Sequence, residues 1–325
     1  MNVRRRTSRI GMALAVVIVA FPGAASGDGL PVLGVDVGST GVLTADGLAR
    51  YVTLPAGRQT VVARTTIRGG SVLGSRPLAG RLTIPAVAYD RSASGISADG
   101  TTLALIEPRQ AFPRRNTRLV VLDARRLRLR RTITLRGDFS FDAISPNGRW
   151  LYLINYISAR DPNRYRVRAY DMNRGRLLPR PIVDAASPDE QMRGLPITRS
   201  MSRTGRWAYT LYDGGGKTPF VHALDTATKT AHCIDLPMVA ATDINRLKLD
   251  VRAGGTSVRV MRGLRLVATI DTRTFSASAA ALAPNEGPAP PWPSIVAVGG
   301  LGAVAAAGFA TILTVRRRRA GSLQM

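Results

Sequence analysis

The sequence predicts an all-β domain of repeated four-stranded sheets, held outside a membrane by one C-terminal helix. Three observations carry this reading. Two short anchors recur in fixed order about every 50 residues, an apolar run of 12 residues opens the chain, and an apolar run of 21 closes it just before four arginines.

The first anchor is a Gly after a turn-forming residue, followed by a β-rich run. It stands in ISADGTTLALI (Ile96–Ile106), ISPNGRWLYLI (Ile144–Ile154) and MSRTGRWAYTLY (Met201–Tyr212), with weaker copies in Leu43–Leu54 and Val251–Met261. The glycines fall at 47, 100, 148, 205 and 255. The second anchor is an apolar strand ending in Asp and a polar turn, at Asp123, Asp171, Asp225 and Asp271. Asp-Gly and Asn-Gly readily take positive φ and close tight hairpins. Runs such as WLYLINY and RLVVLD are β-branched and aromatic, with no helical period. After Asp, a side-chain oxygen can hold the backbone two residues on. Each unit therefore reads strand, turn, strand, loop, strand, turn, strand. A lone sheet of that kind leaves two apolar faces open, and arranging the sheets radially buries both.

The stretch SPNGRWLYLINY to YRVRAYDMNRGRLL resembles a blade of the YVTN/TolB/WD40-like β-propeller superfamily, in which S-P-D-G-x-x-L-Y-V leads to V-x-D-x-x-T-G. The resemblance runs over about residues 37–280 and is strongest between Ile96 and Leu236. It implies a propeller of about five four-stranded blades, with Gly69–Ala88 as the place for a divergent sixth. The first unit lacks the Asp anchor and the last has a short connection, so terminal strands near Val32–Val37 and Thr274–Ala280 are candidates to share a closing blade. The competing reading is an open β-sandwich with fortuitous repeats. The resemblance also implies a ligand site at the mouth of the central channel, and it includes lactonase-like hydrolases, whose acidic, basic and histidine residues cannot be matched here residue by residue.

At the N-terminus, Arg4, Arg5, Arg6 and Arg9 make a basic region before the apolar run Ile10–Phe21, which is too short to span a bilayer. Pro22 and the small residues of GAASG then suit signal-peptidase cleavage between Ala25 and Asp28, so residues 1–27 read as a signal peptide. An uncleaved anchor is the alternative. Thr7, Ser8 and Arg9 after the arginines favour ordinary over twin-arginine export.

At the other end, residues 282–294 form a Pro-rich stalk with Trp292 placed for the membrane interface. Residues 295–315 are apolar throughout and, as a helix, about 31 Å long, close to the bilayer core. Arg316, Arg317, Arg318 and Arg319 stop transfer and begin the basic tail of residues 316–325. The expected product is a single-pass type I protein of the bacterial plasma membrane, with residues 28–281 outside the cytoplasm and the lipid bilayer as its first partner. LAPNEG stands where a sortase pentapeptide would need Thr-Gly, so the helix is expected to be retained. Gly299, Ala303 and Ala307 recur every four residues and could let two helices approach.

The formal charge of +25 includes four basic residues at each end, and the remaining 38 face 21 acids, leaving about +17 for the outer part. That charge draws the domain towards lipid headgroups, an anionic wall polymer or an acidic envelope protein. Nucleic acid is excluded as a partner by location and by an aromatic content of 6%. Only three lysines stand against 43 arginines, so part of the charge reflects a GC-rich codon bias. With one cysteine and two histidines, neither an intramolecular disulfide nor a Cys/His-rich metal site can form, and no cofactor is expected.

Candidate chemistry is sparse, and no catalytic residue is assigned. Asp213 to Thr218 resembles a phosphate loop, but Leu211 stands where the pattern needs Gly, so it reads as a hairpin loop. His222, Asp225 and His232 read as strand-surface histidines beside a turn anchor, and Cys233 as a small apolar residue. The basic stripes are more telling. Arg126, Arg128 and Arg130 alternate with Leu127 and Leu129, as Arg164, Arg166 and Arg168 do with Tyr165 and Val167. Alternation places each trio on one side of its strand, and neighbouring units could join them into one cationic patch. The plainer alternative is a charged edge that resists aggregation. The function expected is a non-enzymatic binding or scaffolding module. A lactonase-like hydrolase, or a sensor acting through a membrane partner, is the alternative.

Overall fold

The computed structural model describes residues 41–281, apart from 45, 68–69 and 190–191. The signal peptide, stalk, membrane helix and tail expected at residues 1–27, 282–294, 295–315 and 316–325 lie outside the described residues, as does Val32–Val37. Among the described residues, no helix is long and apolar enough to cross a membrane.

The described chain is a series of antiparallel sheets in chain order. The first holds β1 (Val42–Leu43), β2 (Ala49–Ala56), β3 (Gln59–Thr66) and β4 (Val72–Ala79). The second holds β5 (Thr102–Ile106), β6 (Asn116–Asp123) and β7 (Arg128–Arg136). The third holds β8 (Asp138–Ile144), β9 (Trp150–Tyr156), β10 (Tyr165–Asp171) and β11 (Arg176–Leu177). The fourth holds β12 (Pro196–Met201), β13 (Trp207–Tyr212), β14 (Phe220–Asp225) and β15 (Thr230–Asp235). The fifth holds β16 (Leu247–Val251), β17 (Ser257–Arg262), β18 (Arg265–Asp271) and β19 (Ala277–Ala279).

Every Gly anchor sits in the turn that leads into the third strand from the outer edge of its sheet, and every Asp anchor ends the second strand from that edge. Gly148 has φ +70°, the left-handed conformation its turn demands. Strands β5 and β9 are buried on both faces, because the second and third sheets are each packed between two others. The outer β4 and β7 are mostly exposed and carry arginines, which blunts a free edge.

Apolar clusters join the sheets in sequence. Tyr51 and Val62 meet Leu103 and Leu122, and Leu119 and Val121 meet Phe141 and Leu151. Tyr152 and Val167 then meet Ala208 and Leu224, and Tyr209 and Val221 meet Leu249 and Val260. This is the face-to-face succession expected of propeller blades.

The sixth unit sought in Gly69–Ala88 does not form. Val72–Ala79 pairs with β3 and completes the first sheet, while the residues after it serve the second. Thr83 bridges Ile106, Ile96 bridges Leu103, and Ala86 bridges Ala93, so residues 83–96 fold as a hairpin along the inner edge of β5. Its tip reaches the fourth and fifth sheets. The Tyr89 and Asp90 N–H groups donate to the carbonyls of Pro196 and Ile197, at 2.8 and 3.1 Å. Asp90 Oδ2 accepts from Thr198 Oγ1 and from Lys248 Nζ, both at 2.6 Å. The Ala277–Ala279 segment forms the outer strand of the fifth sheet, and the Val32–Val37 strand expected to share a closing blade with it lies outside the described residues.

Candidate functional site

In a four-stranded meander the first and third connections lie at one end of the sheet. Three bonds bring these ends together across sheets. The Asp99 N–H donates to Pro146 O at 3.0 Å. Tyr51 OH donates to Ala124 O at 2.9 Å, and Tyr152 OH to Thr226 O at 2.6 Å. Both tyrosines stand four residues after a Gly anchor, and both acceptors directly follow an Asp anchor in the next sheet. The anchors thus share one face, here called the turn face.

On this face the carboxylates are occupied by their own turns. Asp123 Oδ1 accepts the Arg126 N–H at 2.9 Å, and that bond is the main reason its pKa lies below the usual range. At Asp225, burial acts to raise the pKa, but the Arg206 guanidinium and the Thr228 and Ala227 N–H groups outweigh it and hold the group low. Arg206 and Arg130 pair with two of these carboxylates, Asp225 and Asp123, at 2.7 and 3.1 Å.

A groove of about 540 Å³ between the second and third sheets collects three arginines, Arg130, Arg131 and Arg149, together with Thr102, Asn147 and Asn173. Adjacent strand residues normally point to opposite faces. Here Arg131 pairs with Val121 and Leu129 with Leu122, so Arg130 is an extra residue in a β-bulge. The bulge lets Arg130 and Arg131 line the same groove. Arg130 donates to Thr102 Oγ1 at 2.8 Å and to Asp123 Oδ2 at 3.1 Å. Arg149 lies over the Trp150 ring at 5.1 Å, and Lys229 reaches the same ring from the fourth sheet at 4.6 Å. Such stacking fixes the direction of a guanidinium while leaving its N–H groups available.

The structure places the predicted stripes as follows. Arg126 is exposed in the turn after Asp123, and Arg128 is exposed at the start of β7. Leu127 is buried at φ +53°, but Leu129 is 50% exposed, so the expected alternation stops there. On β10 it holds: Arg164 and Arg166 are exposed, Arg168 is half-buried, and Tyr165 and Val167 are buried. Arg168 donates to Leu178 O at 2.6 Å, and burial, with the charge of Arg166, lowers its pKa. β10 runs from Tyr165, next to Arg164, to the Asp171 turn, whereas Arg128 follows the Asp123 turn. The trios therefore begin at opposite ends of their sheets, about 20 Å apart along the strand direction. Of the six, Arg130 alone lines the groove. Arg131 and Arg149 escaped the sequence reading, although Gly-Arg-Trp stood in two of the repeats.

Asp213–Thr218 does connect β13 to β14. Asp225 is the expected turn anchor, but His222 is not a strand-surface residue. It is 2% exposed, in a row of paired residues across the fourth sheet: Arg199, Thr210, His222 and Cys233. Only period two was available to place it, and the burial comes from the third sheet packed on that face. His232 is half-buried and stacks on Phe275 at 3.9 Å. No cluster of three or more metal-ligating side chains occurs among the described residues.

Burial pushes the His222 imidazole down to about 4, with Asp142 opposing and Arg199 reinforcing the shift. The unfolded chain, near 6.5, then binds the extra proton first. Stability is fully present above pH 6.5 and falls between pH 6.5 and about 4, by roughly 3 kcal/mol. Urea unfolding at pH 7 and pH 4.5 should show the loss, and His222→Gln should flatten it. Equal stability of the parent chain at both pH values would contradict the assignment.

No protein-family model matches the chain, and no curated protein matches it. Solved structures resemble it in fold. The hydrazine synthase of Kuenenia stuttgartiensis is 15% identical over 73% of this chain and 64% of that one, with a TM-score of 0.44. TolB from Acinetobacter baumannii is 12% identical over 71% and 50%, with a TM-score of 0.40. The β-propeller domain of Cps50 (Swd1) from Myceliophteria thermophila is 11% identical over 75% and 69%, with a TM-score of 0.43. The chain thus spans about half to two thirds of these proteins' lengths. At these identities the likeness is one of fold alone.

Proposed function

We propose that this chain is an exported propeller, tethered to the bacterial plasma membrane, whose turn face binds an anionic polymer of the cell envelope. It acts by binding and scaffolding rather than by catalysis. The observation that carries the reading is the convergence of Arg130, Arg131 and Arg149 on one groove, where among the described residues only Arg130 of the three forms an ion pair, with Asp123. Guanidinium groups from separate elements suit bidentate contact with phosphate or carboxylate groups along a polymer. The export and tethering part rests on residues 1–27 and 295–319, and the overall positive charge supports attraction to the same class of ligand.

The test is co-sedimentation of the purified chain with anionic wall polymer. Arg131→Ala with Arg149→Ala is expected to weaken binding by about tenfold or more, and added salt to weaken the parent steeply. Reversing Arg164 and Arg166, at the far end of β10, is expected to change it by less than about twofold at moderate salt. Unchanged binding in the double variant would reject the groove.

A further inference from the structure

We propose a second site, a cavity beside the fourth sheet that takes a small zwitterion, an amino acid or short peptide carrying both an ammonium and a carboxylate. The cavity is about 480 Å³, within the range of small-ligand sites. Its lining includes residues of strands β14 and β15, Asp184, Asp189 and Arg193, and Gly214, Lys217 and Thr218 of the loop between β13 and β14. That loop is the second connection of its sheet, at the end away from the turn face. The proposal is therefore independent of the groove.

The buried wall holds a polar group that faces the cavity. His222 lines the cavity at 2% exposure, its ring edge-on to that of Tyr212 at 6.3 Å between centroids. Held neutral by burial, the imidazole offers one donor and one acceptor. A ligand group that pairs with it gains a hydrogen bond away from bulk water. Phe220 beside it gives the ligand apolar contact.

The exposed rim carries both signs. Asp189 and Asp235 offer carboxylates, while Lys217 and Arg193 offer cations. Asp184 belongs to the wall: it accepts the Ala186 N–H at 2.9 Å and the Cys233 N–H at 2.7 Å, which ties the segment to β15. A purely anionic ligand would meet the rim carboxylates, and a purely cationic one the lysine and arginine. A molecule with one group of each sign satisfies both, and the volume leaves room for two or three amino-acid residues.

The experiment is calorimetric titration of the full-length chain with free dipeptides, their N-acetyl forms and their C-amide forms. Saturable binding of free dipeptides is expected, weakened about tenfold by either block. Asp235→Asn and Lys217→Ala, both at exposed side chains, should each weaken it by a similar factor. His222→Phe should abolish it while the unliganded melting temperature is retained. If that variant does not fold, the two rim variants decide. Absence of binding by every free dipeptide would overturn the proposal, as would equal binding of blocked and free forms. So would loss of dipeptide binding in the Arg131→Ala, Arg149→Ala variant, or saturable binding of a divalent metal ion alone that Asp235→Asn removes.

Discussion

Replacing Arg199 by methionine is expected to cost about 3–5 kcal/mol of stability. Arg199 lies on β12 and Asp142 on β8, so their contact joins the inner edges of the third and fourth sheets. The Arg199 Nη2 bonds Asp142 Oδ1, Nη1 donates to Asp142 O at 2.9 Å, and Nε donates to Thr210 Oγ1. Asp142 is 2% exposed, and its Oδ2 has no hydrogen-bond partner. Without the guanidinium, a carboxylate would stay in the interior with neither water nor cation. The double variant Arg199→Met, Asp142→Leu should recover most of the loss, because an apolar pair removes the desolvation problem along with the attraction. Urea unfolding of the parent, both single variants and the double variant closes the cycle. An Arg199→Met chain within about 1 kcal/mol of the parent would show that the pair is not coupled in this way.

The second large effect separates two glycines that occupy the same place in the repeat. Gly148→Ala is expected to cost about 3 kcal/mol or more, and Gly100→Ala about 1–2 kcal/mol. Both have positive φ, +70° and +67°, so an added Cβ strains the backbone at either. At Gly148 it would also stand 2.2 Å from Thr102 Oγ1 and 2.6 Å from Thr102 Cβ. Thr102 is 2% exposed and β-branched, so it has little freedom to move aside. Around Gly100 there is nothing within 4 Å. Denaturant midpoints of the two variants make the comparison directly, and equal losses would mean that the turn alone sets the cost.

These glycines mark the limit of what could be read in advance. The turns were legible because their cause is local: Ser145 Oγ accepts the Trp150 N–H and Asn147 Oδ1 accepts the Arg149 N–H, all within six residues. The strand order within each sheet followed, since short connections leave antiparallel neighbours as the simplest pairing. The groove was legible only through Arg130. The bulge that brings Arg131 beside it depends on how β7 pairs with β6, and no residue type announces it. The burial of His222 was hidden for a similar reason, because alternation within β14 does not say whether a further sheet covers the face.

By itself, the sequence determined the repeat, the hairpin turns and the four-stranded unit, since each follows from φ preferences and hydrogen bonds over a few residues. It also set the excess of positive charge. Tertiary structure decided that residues 83–96 span from the second sheet to the fourth and fifth. It also decided that Asp142 meets Arg199, and that three of 43 arginines share a groove. Those outcomes depend on pairs far apart in the chain, whose meeting is settled by how whole sheets pack and not by the conformational preference of any one residue.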